Sequence, residues 1–367
     1  MVSVIEVPAN TKFATELLRW FDLYGRKDLP WQKNITAYRV WVSEIMLQQT
    51  QVKTVIPYYE KFMSRFPNIT SLALAAEDDV LHHWSGLGYY SRARNLHKSA
   101  HLICQNFGGE LPHTAEELMT LPGIGRSTAG AIAAIAFHQH YAILDGNVKR
   151  VLARYHAVDG WPGKSTVAHT LWEFAEMLTP KHRIADYTQA IMDLGATLCT
   201  RSKPSCPECP MQVNCEAFQQ GTVANYPGKK PKKIVPTKRA TMFIVVNQDG
   251  HVLLQKRPAI GVWASLWSLP EDPKQLSKFD FHHTPTEVNP THTLLDQTQQ
   301  WLGSGDIWPT LRHTFSHFHL DISPRYFRVK TQSRIIERNQ WLWFDPTKPP
   351  KVGLAAPIIK LINQLGH

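Results

Sequence analysis

The sequence predicts a multidomain protein in which an all-α domain is followed by a smaller α+β domain. Apolar residues recur at intervals of three and four through much of the first 225 positions, which is helical spacing. After position 240, short strand-like runs separated by turn residues replace that pattern. A length of 367 residues also fits two domains. We therefore expect a helical domain over residues 1–225, a linker over 226–239 and an α+β domain over 240–367.

The composition is that of a globular protein with a basic surface. Forty Lys and Arg against thirty Asp and Glu give a net charge of +10, which favours a polyanionic partner such as nucleic acid or an anionic membrane face. The longest apolar run, 129–137, is far shorter than the roughly 20 residues that cross a bilayer. Residues 1–11 also lack the features of a secretory signal. These observations predict a soluble, cytoplasmic protein that does not span a membrane.

The elements follow one another in a clear order. Helical spacing begins at 13–21, continues through 40–46, 52–62 and 118–137, and resumes at 148–155. Three prolines and six basic residues, with no acidic residue, predict that 226–239 is an extended linker. Strands are then expected at 241–246, 252–256, 318–322, 325–330 and 341–344, and a closing helix at 355–365.

Four of the five cysteines form a compact cluster in the sequence. They are Cys199, Cys206, Cys209 and Cys215, with the spacing C-x6-C-x2-C-x5-C. Three prolines between them suit a loop that brings the four thiols together. Four thiolates hold either a zinc ion or a [4Fe–4S] cluster, and the spacing alone leaves both open. The fifth, Cys104, lies in an apolar helical context, which predicts a buried residue and not a ligand.

A glycine-containing turn opens the helix near residue 126. The amides around Gly123 and Gly125 are expected to bind a phosphate at the N-terminus of that helix, although an ordinary helix-to-helix turn also fits a bare G-x-G. Twenty residues after Gly125 comes Asp145, which precedes a helical pattern and also suits the role of an N-cap.

The turn, the aspartate and the cysteine loop, in this order, resemble the iron–sulfur branch of the helix-hairpin-helix DNA glycosylase superfamily. The resemblance covers residues 10–225 and implies the helix-hairpin-helix fold, with a [4Fe–4S] cluster on the four cysteines. It implies that Asp145 stabilises positive charge on the deoxyribose as the base leaves. Endonuclease III-like members carry a lysine nucleophile where this sequence has Ser127. We therefore expect base removal without strand cleavage, with Lys149 and Lys164 left open as weak substitutes.

The segment W-V-S-E-I-M-L-Q-Q-T-Q at 41–51 resembles the signature of the MutY-type adenine DNA glycosylases. Glu44 lies beside the apolar positions Trp41 and Ile45, and burial there would raise its pKa and make it a proton donor. From the residues alone, Glu44 could also be a solvated helix residue. The resemblance implies that Glu44 protonates adenine at N7.

The same resemblance assigns further contacts to DNA. It implies that Trp31 and Gln189 line the adenine pocket and that Gln49 and Thr50 contact the oxidised guanine. It also implies that Leu87 and Tyr89 form a wedge into the duplex and that Asn147 positions the sugar or water. Core packing remains an alternative for Trp31.

Residues 240–367 resemble a Nudix-like domain through the segment G-V-W-A-S-L-W-S-L-P at 261–270. The residues after it lack the glutamates that bind metal in Nudix hydrolases, so hydrolysis is not expected. The resemblance implies instead that Phe315, Ser316 and His317 recognise 8-oxoguanine. The histidines at 313, 317 and 319 also suggest a metal site, but their strand-like alternation lacks accompanying carboxylates.

The resemblance implies a monomeric bacterial enzyme, associated with the nucleoid, that removes adenine from 8-oxoguanine·adenine or guanine·adenine mispairs in double-stranded DNA. Two rival hypotheses remain. One is an endonuclease III-type lyase that acts on oxidised pyrimidines, and the other is a non-catalytic iron–sulfur sensor that binds DNA.

Overall fold

The computed structural model describes residues 9–231, 234–276, 305–329 and 340–366. Contacts between residues divide the chain into two compact units. One consists of Met1–Leu74 and Asn95–Lys232, and the other of Ala75–Arg94 and Lys233–His367. Among the described residues, no helix is both long and apolar enough to span a membrane.

The first unit is helical, as predicted. Helix α5 and the start of α6 belong to the second unit. The helices of residues 9–220 are α1 (Ala9–Tyr24), α2 (Ala37–Leu47), α3 (Val52–Arg65), α4 (Ile69–Ala73), α5 (Glu77–Trp84), α6 (Ser91–Asn106), α7 (Ala115–Leu118), α8 (Arg126–Phe137), α9 (Gly146–Tyr155), α10 (Ser165–Leu178), α11 (Ile184–Thr197) and α12 (Glu216–Gln219). Single 3-10 turns lie at Pro30–Gln32, Cys206–Glu208, Gln212–Asn214 and Val223–Asn225.

An apolar core joins the helices that carry the candidate site. Phe13 and Leu17 of α1 pack in one cluster with Val148 of α9, Leu171 of α10 and Leu194 of α11. Burial of one such side chain contributes about 1.5–3 kcal/mol to stability. The core therefore fixes α9, which begins directly after Asp145, against α11, which leads into the cysteine loop.

The second unit contains a mixed sheet and its covering helices, as expected for an α+β domain. Its described elements are β1 (Thr237–Val246), β2 (Val252–Lys256), β3 (Trp267–Ser268), α13 (Pro273–Leu276), β4 (Asp306–Ile307), β5 (Leu311–Thr314), β6 (His319–Arg328), β7 (Trp341–Phe344) and α14 (Ala356–Asn363). The strand order is β3-β2-β1-β6-β4, with β7 also pairing with β2 and β5 with β6. Strands β1 and β6 run parallel, with Thr237 opposite His319, and the other pairs are antiparallel.

Two boundaries differ from the prediction. The expected strands at 318–322 and 325–330 form one continuous strand, β6, although Pro324 lies inside it. Strand β1 begins at Thr237, within the predicted linker, because its first residues pair with β6.

Residues 75–94 lie within the predicted helical domain and yet group by contacts with 233–367. The backbone oxygen of Leu354 accepts hydrogen bonds from Ser85 Oγ at 3.0 Å and Tyr90 Oη at 2.8 Å. Lys256 of β2 forms an ion pair of 3.0 Å with Asp78 of α5. These bonds hold the segment against the sheet through the ends of β2 and the residues around 354.

Candidate active site

Asp145 is the N-cap of α9, so the capping role considered from the sequence is confirmed. Its Oδ1 accepts hydrogen bonds from the backbone N–H groups of Asn147 at 3.0 Å and Val148 at 2.8 Å, and the Asn147 side chain donates to Oδ2 at 3.1 Å. Burial raises the pKa of the Asp145 carboxyl, while these hydrogen bonds oppose the increase because they favour the charged form. The cap therefore also orients the carboxylate.

Glu44 lies on α2 close enough to Asp145 for the two carboxyl groups to interact. Although Glu44 keeps some accessible surface, burial among protein atoms is the main reason that its pKa is raised to about 8, and the charge of Asp145 adds to the effect. Trp41 and Ile45 beside it are almost fully buried. Two neighbouring carboxyl groups, of which one keeps its proton at neutral pH, are suited to acid catalysis paired with charge stabilisation.

Ser127 lies at the start of α8 and contacts the loop that precedes Asp145. Its hydroxyl accepts a hydrogen bond of 3.0 Å from the backbone N–H of Leu144. The sequence analysis singled out Ser127 because it is not lysine. The structure adds that its hydroxyl fixes the residue directly before the candidate catalytic aspartate.

Arg150 connects this region to the cysteine loop. Its guanidinium donates to Asn147 Oδ1 at 2.9 Å and to the backbone oxygens of Cys199 and Gly195, both at 2.7 Å. Sequence reasoning missed Arg150, although its position three residues after Asn147 on a helix is the spacing at which side chains meet.

A second buried network, around Asp193, was also missed. Asp193 is fully buried and accepts hydrogen bonds from the backbone N–H, Nε and Nη2 of Arg26 at 2.8, 3.0 and 2.6 Å. Gln189 Nε2 donates to the same carboxylate at 2.8 Å, which fixes the orientation of the Gln189 amide. Trp31 is 6% exposed and lies edge-on to Tyr59, so it takes part in core packing.

Of the two glycines in the turn before α8, only Gly123 has a positive φ. Gly123 has a φ of 83°, whereas Gly125 has a φ of −94° and is the extended N-cap of α8. A Cβ at Gly123 would lie 3.0 Å from the side chain of Asn95. Gln49, which precedes Thr50, also has a positive φ of 57° and is exposed.

The other predicted DNA contacts lie in the second unit. In the wedge loop (residues 86–90), Leu87 is buried and Tyr89 is half-exposed with a φ of 49°. Residues 315–317, which we call the recognition turn, connect β5 to β6. Ser316 and His317 are exposed, and Phe315 stacks on Phe318 at 4.5 Å.

All four clustered cysteines line one cavity, with Leu194, Met211 and Tyr155 among its apolar neighbours. None of the four forms a disulfide, and the buried Arg154 donates to Cys199 Sγ at 3.3 Å. Burial raises the pKa of Cys209 to about 12.

Within the described ranges, no three cysteine, histidine or acidic side chains meet closely enough to hold a metal ion, the three histidines near 317 included. Four thiols that share one cavity are the donor set that a zinc ion or a [4Fe–4S] cluster requires. Cys104 lies apart, half-buried in α6.

Comparison with known proteins agrees with both predicted domains. Residues 42–177 match the family described as HhH-GPD superfamily base excision DNA repair protein, and residues 241–364 match a NUDIX domain. Among solved structures, a thermostable thymine-DNA glycosylase is 26% identical with a TM-score of 0.52, over 57% of this chain and 97% of that one.

Curated relatives match over nearly the whole length. An adenine DNA glycosylase of Buchnera aphidicola subsp. Baizongia pistaciae is 36% identical over 353 residues, which is 96% of each chain. An adenine DNA glycosylase of Mus musculus is 37% identical over 375 residues, 86% of this chain and 70% of that one. The chain therefore belongs to the MutY-type family of adenine DNA glycosylases, enzymes of base excision repair.

Proposed function

We propose that this adenine DNA glycosylase acts as a monomer on double-stranded DNA, removes adenine paired with 8-oxoguanine or guanine, and leaves an abasic site without cutting the strand. The observation that carries the proposal is the pair of carboxyl groups. Glu44, with its pKa raised to about 8, lies beside an Asp145 that three hydrogen bonds orient.

The two carboxyl groups divide the chemistry of N-glycosidic hydrolysis. Glu44 is protonated at neutral pH and donates its proton to N7 of adenine, which makes the base a better leaving group. The Asp145 carboxylate stabilises the positive charge that develops on the deoxyribose, and water completes hydrolysis. Asn147 holds Asp145 Oδ2 and lies where it can position the sugar or water. Glycoside hydrolases divide acid and stabiliser roles between two carboxyl groups in the same way.

Strand cleavage would require an amine that attacks the sugar, and position 127 has none. The Ser127 hydroxyl is engaged with the backbone N–H of Leu144, so its role is structural. We therefore infer a monofunctional enzyme.

Binding of a flipped base requires contacts to both strands. The Gly123 turn and the N-cap at Gly125 offer backbone N–H groups to a phosphate, and the net charge of +10 favours the DNA backbone. An enzyme that extrudes a base fills the vacated space with a side chain. We assign the wedge to Leu87 and Tyr89, the adenine pocket to Trp31 and Gln189, and the contacts to the opposite base to Gln49 and Thr50.

We assign recognition of 8-oxoguanine to the recognition turn. The exposed Ser316 and His317 offer polar groups to a base edge, and Phe315 offers an apolar ring. The sequence after 270 lacks the glutamate cluster of Nudix hydrolases, which supports a binding role for this domain.

We further propose that the four cysteines hold a [4Fe–4S] cluster. Their shared cavity and the adjacent Arg154, which offsets negative charge, support thiolate ligation of a multi-atom group. When bound, such a cluster supplies electron-transfer chemistry and a covalent brace for the loop. Arg150 then keeps that loop attached to Asn147 through the backbone oxygen of Cys199.

A glycosylase assay tests the proposal. Purified protein is incubated with duplexes that contain 8-oxoguanine·adenine, guanine·adenine, adenine·thymine or thymine glycol, and each sample is divided into portions with and without alkali. We expect cleavage of the adenine strand only after alkali and only for the two mispairs. Cleavage of thymine glycol without alkali would indicate a lyase, and tight binding to the mispairs without base release would indicate a sensor.

A further inference from the structure

The segment of residues 257–267, which we call the connecting segment, contacts both the recognition turn and the residues that follow the wedge loop. At its centre is Trp263, which is 9% exposed and has a φ of 52°. A bulky residue rarely adopts that backbone conformation, so surrounding contacts must maintain it.

On one side, Trp263 supports the recognition turn. Its ring centroid lies 5.6 Å from that of Phe315 and 5.6 Å from that of His313. Phe315 also meets His313 edge-on at 4.6 Å and stacks on Phe318 at 4.5 Å. Among the described residues, the ring of Phe315 therefore meets four aromatic rings, those of Trp263, His313, His317 and Phe318, of which Trp263 is the one supplied from outside the β5–β6 hairpin.

On the other side, the connecting segment holds the chain around the wedge loop. Arg94 Nη1 donates to the backbone oxygen of Ala264, next to Trp263, at 2.7 Å. Tyr90 Oη donates to the oxygen of Leu354, and Leu354 forms a parallel bridge with Trp267. Tyr90, the last residue of the wedge loop, and Arg94, four residues later, are thus both hydrogen-bonded to residues at or beside the connecting segment.

Arg257 keeps the connecting segment closed on itself. Its Nε donates to the backbone oxygen of Val262 at 2.8 Å, and its backbone N–H donates to Leu266 at 2.8 Å. Its guanidinium also lies over the Trp263 ring, 5.9 Å from the centroid. These contacts close residues 257–266 into a short loop around Trp263.

We propose that Trp263 is a positioning residue through which the connecting segment couples the recognition turn to the wedge loop. This inference rests on the proposed function, since it takes residues 315–317 as the contact to 8-oxoguanine and residues 87 and 89 as the wedge. When the recognition turn contacts 8-oxoguanine, the position of the Phe315 ring is fixed. Trp263 and Ala264 then restrain the position of Arg94 and, with it, that of the wedge loop. The preference for 8-oxoguanine over guanine then includes more efficient extrusion of the adenine and not only tighter binding.

The first test is Trp263→Leu, compared with Trp308→Leu. Leucine preserves an apolar side chain without β-branching, so the strained backbone is not burdened further. Trp308 is a matched control because its ring stacks on Tyr326 of β6 and not on a residue of the recognition turn. Single-turnover rate constants are measured for 8-oxoguanine·adenine and guanine·adenine duplexes. Since aromatic pairs contribute modestly but measurably, we expect Trp263→Leu to lower the ratio of the two constants by about tenfold.

The second test is a double-mutant cycle between Trp263→Leu and Arg94→Met. If both residues act through one segment, the double variant loses no more of the rate on 8-oxoguanine·adenine than the worse single variant does. Residues without a shared route would give additive losses. Thermal unfolding and circular dichroism of each variant establish that the domain is folded before the rates are compared.

The outcomes separate this inference from the proposed function. A wild-type enzyme that removes adenine from neither mispair contradicts the proposed function itself, and one without a preference between them overturns the assignment of 8-oxoguanine recognition to residues 315–317. A wild-type preference that Trp263→Leu leaves intact, or that falls equally in Trp308→Leu, overturns only the positioning role of Trp263. Equal losses on both duplexes would likewise reduce Trp263 to a structural residue, and additivity in the cycle would overturn the coupling.

Discussion

The hydroxyl of Ser127 accepts a hydrogen bond of 3.0 Å from the backbone N–H of Leu144, and Leu144 is directly followed by Asp145. The side chain at the position where lyases carry their nucleophile therefore holds the backbone before the proposed catalytic carboxylate of Asp145. Loss of this one bond is expected to cost about 0.5–1.5 kcal/mol of stability.

Ser127→Lys tests this relationship directly. We expect the variant to gain weak strand cleavage without alkali, because it introduces an amine at the position that carries the nucleophile in lyases, and to lose part of its base-excision rate. Borohydride trapping of a covalent enzyme–DNA complex measures the gain. Ser127→Ala is the control: it removes the hydrogen bond without an amine, so trapping in that variant would point to Lys149 or Lys164 instead.

Glu44→Gln is expected to lower the rate of base excision by roughly 10²–10⁴-fold, the usual contribution of a general acid. Single-turnover kinetics on the 8-oxoguanine·adenine duplex measure the loss. In the wild type, the rate should fall as the pH rises through about 8, because Glu44 then loses its proton. A rate in the wild type that does not decline up to pH 9 would contradict the assignment of Glu44 as the proton donor.

The raised pKa of Glu44 also predicts a pH-dependent cost in stability. A carboxyl whose pKa is higher in the folded state than its ordinary value of 4.5 binds its proton more strongly when folded, so its contribution to the free energy of unfolding falls as the pH rises from about 4.5 to about 8. Glu44→Gln removes this dependence. We therefore expect the melting temperature of the variant to exceed that of the wild type at pH 8 by more than at pH 5, as measured by calorimetry; an unchanged difference would argue against the raised pKa.

Arg150→Met should affect both the aspartate and the cysteine loop. The variant keeps the aliphatic part of the side chain but loses the hydrogen bonds to Asn147, Cys199 and Gly195. We expect about a tenfold lower rate of base excision and faster loss of iron on incubation with a chelator, which absorbance near 400 nm follows. Arg19→Met is the control, since Arg19 forms an exposed ion pair with Glu16. Full activity with unchanged iron retention in Arg150→Met would show that the connection is not needed.

Asp193→Asn should destabilise the helical unit strongly. Removing one partner of a buried ion pair typically costs about 3–5 kcal/mol, because the remaining charge loses its compensation. Asp193 is fully buried, and Arg26 donates three of its hydrogen bonds. Asp22→Asn is the control, because Asp22 forms an exposed ion pair of 2.6 Å with Arg183. Denaturant unfolding measures the loss, and a change in Asp193→Asn below that in Asp22→Asn would show that the buried pair contributes little.

Most of the fold could be predicted because the local patterns agree with it. Helical periodicity located α1, α2, α3, α8 and α9, and the residues around Asp145 predicted that it caps the start of α9. Strand β6 was predicted as two strands, 318–322 and 325–330, which lie on either side of Ser323 and Pro324. In the structure, Pro324 is accommodated within β6, opposite Met242 in the parallel ladder with β1.

The missed parts of the site share one physical property, which is that their partners are distant in sequence. Arg26 and Asp193 are 167 residues apart, and Arg150 and Cys199 are 49 apart. No local pattern indicates which arginine will meet which carboxylate or carbonyl. The close approach of Asn95 to Gly123 was likewise not predictable, because Asn95 is distant in sequence from the turn.

The position of residues 75–94 has a consequence for how this protein can change over time. Leu81 is fully buried, and a Cβ at Gly353 would lie 2.6 Å from its side chain, so substitutions at one position limit those accepted at the other. A chain that ended at the linker would remove the carbonyl oxygens of Leu354 and Ala264 that Tyr90 and Arg94 now use. Exchange of the C-terminal domain between relatives should therefore succeed only when the segment equivalent to residues 75–94 is exchanged with it. The unit that is inherited together thus consists of two separate stretches of the sequence.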